Sequence, residues 1–336
     1  MRSQVKNQLY FAVALLVLGS VAPFFVESMV WMTTLNIFFY YAILTISYNI
    51  VLGYTGLFSF CHVSFGAIGG YVSAVLAARY GLSPFLTMFV GVAGAALCGL
   101  AIGLVILRVR GFYLCLVTWA FGMVVENVLR NEYKITGGTG GFLAPVFFGG
   151  AHAGLYSYFV GLLLLLVMFL VSIAVYYSRW GLNLFSVRDD IDAAETMGIN
   201  TRFWKVFGFT FGSAWAGLAG AFYAHFFSMI DPTVAGLDEQ GKICLMLILG
   251  GLGTVIGPVL GAFFVVIVSE LIRGWVAEAN LLIFAIAMIV TVRFARGGFM
   301  DVLRMAAPWV RALSPLRRST ASDLSPKPST TNLQPK

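Results

Sequence analysis

The sequence predicts an all-α fold, a polytopic helical membrane protein with about 8 to 10 transmembrane helices, some of them Gly-broken or re-entrant. Three observations carry this. Of 336 residues, 60% are hydrophobic and 10% charged, with a mean hydropathy of +0.91, whereas soluble domains carry roughly 25% charged residues. Apolar runs such as 155–177 and 206–228 reach the ~20 residues that a bilayer core requires. The runs are also continuous and rich in Leu, Val, Ile, Phe and Gly, while the strands of a membrane barrel alternate over short segments.

Ten apolar passes follow along the chain. The first, 9–25, is long for the core of a signal peptide and has no small-x-small cleavage site after it, so it is expected to be retained. The second, 35–52, ends at Gly53-Tyr54-Thr55-Gly56, which parts it from the third, 63–78. Passes at 85–107, 111–129, 155–177 and 206–228 carry no such break. The eighth, 243–256, and the ninth, 257–273, are divided by Gly250-Gly251-Leu252-Gly253 and Gly257-Pro258, and a tenth covers 280–295. If 243–273 is a single or re-entrant element, the C-terminus changes side. Residues 1–304 form the transmembrane domain, and 305–336 form a basic C-terminal tail expected to be disordered and to meet anionic lipid heads.

Orientation follows from the basic residues. With the N-terminus in the cytoplasm, Arg2, Lys6, Arg108, Arg110, Arg179, Arg188, Arg202, Lys205, Arg293, Arg296 and six tail residues lie inside. Arg79, Arg130, Lys134, Lys242 and Arg273 lie outside, a bias of 16 to 5, or 10 to 5 without the tail. That excess places both termini and the polar segment 178–205 in the cytoplasm of an inner-membrane protein. It also accounts for the net charge of +7 without nucleic acid, because the basic residues are scattered over loops. The four cysteines, Cys61, Cys98, Cys115 and Cys244, lie in or beside apolar runs without a CxxC. Neither a disulfide framework nor a zinc site is expected.

Broken backbone at membrane depth is tolerated only where protein or a wet cavity satisfies its N–H and C=O groups. The paired breaks therefore mark a translocation path, with Asn49, Gly53, Thr55, Gly56, Gly250, Gly251, Gly253 and Gly257 as its candidate residues. In the polar segment, Asp189 or Asp190 is placed to cap a short helix over Ile191 to Met197. Asp192 and Glu195 put negative charge in its early turns, and Gly198 with Asn200 supplies a stop. Ile191, Ala194 and Met197 fall near one face, available to a partner.

Asp192-Ala193-Ala194 followed three residues later by Gly198 resembles the EAA-x-x-x-G coupling loop of ABC importer permeases. The wider SVRDDIDAAETMGIN is similar to the form found in branched-chain amino acid permeases of the LivM type. Further similarities are Asn49 to Gly56 (NIVLGYTG), Arg108 to Tyr113 (RVRGFY), Ile135 to Gly141 (ITGGTGG) and Leu249 to Pro258 (LGGLGTVIGP), in family order between about residues 40 and 295. The chain departs from the general importer pattern in having Asp192 for Glu and no I-x-L-P after the glycine.

The resemblance implies a permease subunit for branched-chain or other hydrophobic amino acids. It would work with a second permease subunit, two cytoplasmic ATP-binding subunits and a periplasmic substrate-binding protein. Arg188, Asp189, Asp190, Asp192, Ala193, Ala194, Glu195 and Gly198 would form the ATPase-coupling loop. Related systems move urea, amides or aromatic acids, and the rival class is a stand-alone secondary transporter or channel.

The sequence has no G-x-x-x-x-G-K-[ST] pattern, so no cofactor is expected on this chain and ATP would be hydrolysed by partner subunits. No nucleophile and base, and no paired carboxylates, stand out in a polar region, so it reads as a non-enzyme. Thr136, Gly137, Gly138 and Gly140 lack the lysine of a phosphate loop and are read as an external gate or docking loop, with a flexible turn as the alternative. Glu126 and Glu270 lie near predicted span ends, and His62 and His225 are expected to be satisfied buried histidines.

Overall fold

The structure is a computed structural model that describes residues 2–25, 28–109, 111–150 and 152–273. The tenth apolar pass and the basic tail lie outside the described residues. Helix α1 spans Arg2–Phe25, and α2, Met29–Tyr48, runs on into a π-helical turn, Asn49–Tyr54. Then come α3 (His62–Tyr80), α4 (Pro84–Ile106) and α5 (Phe112–Asn131). A knot of short elements follows: α6 (Tyr133–Thr136), a 3-10 turn (Gly138–Gly140) and β1 (Phe142–Leu143). After α7 (Ala153–Tyr177), the polar segment folds as two helices, α8 (Arg179–Asp189) and α9 (Ile191–Thr196), before α10 (Thr201–Phe227). Strand β2 (Met229–Ile230) and a 3-10 turn (Pro232–Ala235) lead to α11 (Leu237–Gly250) and α12 (Gly257–Arg273).

Four of these helices are long and apolar enough to cross a membrane by themselves: Val30–Tyr54, Pro84–Ile106, Phe112–Asn131 and Ala153–Tyr177. The protein is an integral membrane protein. Helix α11 departs from the expected eighth pass. It starts at Leu237 and ends at Gly250, because Gly251 (φ +112°) and Gly253 (φ +72°) take backbone values that end a helix. Its 14 residues rise about 21 Å at 1.5 Å each, short of the ~30 Å hydrocarbon core. It is therefore too short to span by itself.

Helices α3, α4 and α10 pack tightly on one another through small residues. A Cβ on Gly69 would run into the backbone of Gly217, one on Gly220 into the Gly66 carbonyl, and one on Gly91 into the Gly69 carbonyl. Within a membrane, helix association depends on such close van der Waals approach, since lipid is as apolar as the side chains. On α4 the small residues recur every fourth position, Gly91, Ala95, Gly99 and Gly103, and all four are buried.

At the far end of α3, Arg79 donates to the Lys134 carbonyl. There Gly137, Gly138 and Gly141 take positive φ, and β1 pairs antiparallel with β2, Phe142 opposite Ile230. The glycine loop is thus fastened to the exit of α10. Thr136 holds its entry by donating to the Leu129 carbonyl at 2.8 Å. A Cβ on Gly137 would run into the Gly141 carbonyl, whereas Gly140 has open space around it.

Candidate functional site

The two glycine breaks lie 200 residues apart in sequence and meet in space. The amide of Asn49, fully buried at the start of the π-helical turn, donates through Nδ2 to the Thr254 carbonyl at 2.7 Å. Its Oδ1 accepts the Gly253 N–H at 2.9 Å. A single side chain thereby satisfies both a donor and an acceptor of the loop between α11 and α12. Gly53 packs so closely that a Cβ there would stand 2.8 Å from the Gly253 nitrogen, and Gly250 meets Gly257 backbone to backbone across the same loop.

The polar segment reaches into this junction. Arg188, on the last turn of α8, donates from its guanidinium to the Gly53 carbonyl at 2.8 Å. A Cβ on Gly253 would come within 2.9 Å of the same guanidinium, and one on Gly56 within 2.9 Å of the Arg188 side-chain stem. The cation is held by Asp189 Oδ1 at 2.9 Å from Nε and lies over the Phe185 ring at 5.2 Å. Phe185 also packs edge-on against Tyr54 at 5.1 Å. Tyr54, the last residue of the π-helical turn, is hydrogen-bonded to Ser172 of α7 at 3.1 Å. The carbonyls that end a helix carry partial negative charge, so a guanidinium there is favourably placed.

The elbow between α8 and α9 follows from local chemistry. Of the two expected caps the structure selects Asp190, whose Oδ1 accepts from the N–H groups of Asp192 at 2.9 Å and Ala193 at 3.0 Å. Helix α9 stops at a left-handed Gly198, φ +80°. There the Ile199 N–H returns to the Ala194 carbonyl and the Gly198 N–H to that of Glu195, the paired bonds of a Schellman stop. Asn200 does not share in the stop. It caps the next helix instead, accepting from the Phe203 N–H at 3.0 Å. Glu195 ties the elbow to α10 by accepting from the Thr201 hydroxyl at 2.5 Å.

The expected apolar face of α9 is split: Ala194 is buried in its own subunit, whereas Met197 is 84% exposed. Asp192 and Ala193 are also exposed, and Trp180, Leu182 and Phe203 are uncovered on the helices around them. Thr55 and Gly56 lie at the junction as well, the Thr55 hydroxyl donating to the Val51 carbonyl. Thr136, Gly137, Gly138 and Gly140 are not part of it, since they lie beyond the opposite end of α3.

Several residues escaped the sequence reading. Gln240, fully buried on α11, accepts the Val63 N–H at 3.1 Å and donates to the Ser59 carbonyl at 3.1 Å. It holds the entry to α3 much as Asn49 holds the loop after α11, and both amides are legible only once the breaks are known to face each other. Lys242, counted among external residues, pairs with Glu239 at 2.5 Å on the first turns of α11. The pair stands beside Tyr41 of α2. Of the two histidines, His225 bonds Ser73 at 2.8 Å and the Pro145 carbonyl at 2.7 Å. His62 bonds Ser47 at 2.8 Å, and its Nδ1 has no partner among the described residues. Glu126 is paired with Arg130 one turn on, at 2.5 Å.

A helical membrane bundle broken twice at one junction, with a polar elbow bonded into that junction, has the build of a transport subunit. Residues 30–292 match the family described as branched-chain amino acid transport system / permease component, and the chain belongs to that family. It is 30% identical over 330 residues to the high-affinity branched-chain amino acid transport system permease protein LivM of Escherichia coli strain K12, covering 90% of this chain and 77% of the relative. It is also 26% identical over 273 residues to the corresponding protein LivH of that organism, covering 75% and 88%. A shorter match, 28% over 151 residues, is to the autoinducer 2 import system permease protein LsrC of Salmonella paratyphi B. No solved structure matches the chain. The protein is a membrane permease component that works with other subunits.

Proposed function

We propose that this chain is one membrane-embedded half of an ATP-driven importer for branched-chain or other hydrophobic amino acids, in the bacterial inner membrane with 178–205 facing the cytoplasm. One of two ATP-binding subunits docks on the α8–α9 elbow, a second permease subunit completes the path, and a periplasmic substrate-binding protein delivers the ligand. ATP is bound and hydrolysed by the partners. The substrate class rests on the named relatives. The coupling route rests on one observation, the bond from Arg188 to the Gly53 carbonyl.

In this reading, closure of the ATPases displaces α9 and its exposed Met197. The rigid caps at Asp190 and Gly198 pass that displacement to α8, and Arg188 transmits it to the π-helical end of α2 and the loop after α11. The inner end of the path opens or closes there, because both broken spans share that junction. The test is copurification of the complex and leucine uptake in proteoliposomes. If the wild-type chain brings down no ATP-binding subunit and uptake persists without ATP, the reading is wrong.

A further inference from the structure

Glu239 and Lys242 lie on the first turns of α11 and form an ion pair at 2.5 Å, while the Tyr41 hydroxyl on α2 donates to the other Glu239 oxygen at 2.6 Å. Tyr40, beside Tyr41, packs on Tyr223 four residues before α10 ends at Phe227, so the pair lies toward the end of the bundle away from the Arg188 junction. The Glu239 and Lys242 side chains keep 20% and 28% exposure. A Cβ on the intervening Gly241 would meet nothing within 4 Å. This turn of α11 is therefore partly open among the described residues, on the side of Glu239, Gly241 and Lys242, while Gln240 within it is fully buried.

Ionised groups on or between membrane spans face a wet path or another protein rather than lipid. A lysine ammonium has three donors and a carboxylate about four acceptor sites, and the described bonds use one and two of them. Free hydrogen-bonding capacity of both signs is thus presented at one level. The wall beside it is aromatic, with Tyr40 packed against Tyr41 at 5.0 Å and Tyr223 at 4.8 Å.

We propose that Glu239, Lys242 and Tyr41 form a binding station on the translocation path for the charged end of a free amino acid. Glu239 takes the α-ammonium, Lys242 takes the α-carboxylate, and the variable side chain lies against tyrosine and apolar surface. The inference rests on the importer reading and deepens it by naming the contacts. Selection at this level is for a zwitterion of any apolar side chain, and choice among side chains is left to the delivering protein.

The experiment uses the full complex in proteoliposomes, with L-leucine as the probe and copurification of the ATP-binding subunits as the measure of assembly. Glu239→Gln and Lys242→Gln are each expected to lower leucine uptake roughly tenfold or more, the scale of losing one charge-assisted hydrogen bond, with the complex still assembled. The charge swap E239K/K242E preserves an ion pair but inverts its polarity, and is expected not to restore uptake. Restoration by the swap, wild-type uptake in either single variant, or loss of assembly in both would each overturn the station in favour of a structural pair or a subunit contact. Failure of the importer reading shows separately, in the wild-type arm, as leucine uptake that does not depend on ATP, and it removes the station as well.

Discussion

The guanidinium of Arg188 and the carbonyl of Gly53 are 135 residues apart in sequence and joined by a 2.8 Å hydrogen bond. The bond fastens a polar elbow to the end of a membrane span. Removing the side chain in Arg188→Ala loses a charge-assisted bond worth about 1.5–3 kcal/mol and the packing over Phe185. The complex should still assemble, while leucine uptake falls roughly tenfold or more at the lower end of that energy. Lysine in its place keeps the charge but not the fork that serves Gly53 and Asp189 together, so partial recovery is expected. Uptake measured beside ATP hydrolysis checks this, and full activity in Arg188→Ala would refute the route.

Asn49 tests the junction itself. Asn49→Ala strands the Gly253 N–H and the Thr254 carbonyl, and each buried unsatisfied group costs about 1–3 kcal/mol. Thermal unfolding in detergent should shift downward, with uptake lowered in parallel. A stability equal to that of the parent would mean that other groups satisfy the loop after α11.

Gly198 has open space around it, so its replacement acts through the backbone rather than by collision. At φ +80° a β-branched residue is strained by roughly 1–2 kcal/mol or more. Gly198→Val should insert normally and leave the membrane bundle intact, yet weaken docking of the ATP-binding subunits and uncouple hydrolysis from uptake. Normal uptake in that variant would argue against docking on α9.

Gln240 serves the α2–α3 break from the other side. In Gln240→Leu the Val63 N–H and the Ser59 carbonyl lose their partner, again at about 1–3 kcal/mol per group. Gln240→Glu in its protonated form keeps an acceptor for Val63 and an O–H donor for Ser59, so it should fall between the parent and the leucine variant in thermal stability. Equal melting of all three would count against the capping role.

The glycine seam is tested by overpacking. Gly220→Ala places a methyl group against the Gly66 carbonyl. Backbone cannot yield as a flexible side chain does, so the loss should reach or exceed the ~1–3 kcal/mol of ordinary overpacking. Gly81→Ala meets no neighbour and carries only the strain of φ +63°. Reduced yield of folded protein for the first, relative to the second, is the expected result.

Local rules within the sequence were enough for the membrane class, the two glycine breaks, a cap at Asp189 or Asp190 and the Gly198 stop. Continuous apolar runs, positive-φ glycines and capping side chains act over a few residues, so their signals lie side by side in the chain. The four-residue spacing of Gly91, Ala95, Gly99 and Gly103 took on meaning only with the structure, which supplied the helices that it admits.

Tertiary structure alone decided that Asn49 faces Gly253, that Gln240 caps the entry to α3, that Arg188 reaches Gly53 and that Lys242 and Glu239 pair beside Tyr41. Each depends on where a backbone group exposed at one break finds its partner. Broken helices must satisfy those groups wherever protein surrounds them, and the partner that does so can be 200 residues away. The polar segment 178–205 declared its own helix start and stop, but its attachment to the two broken spans emerged only when they were packed together.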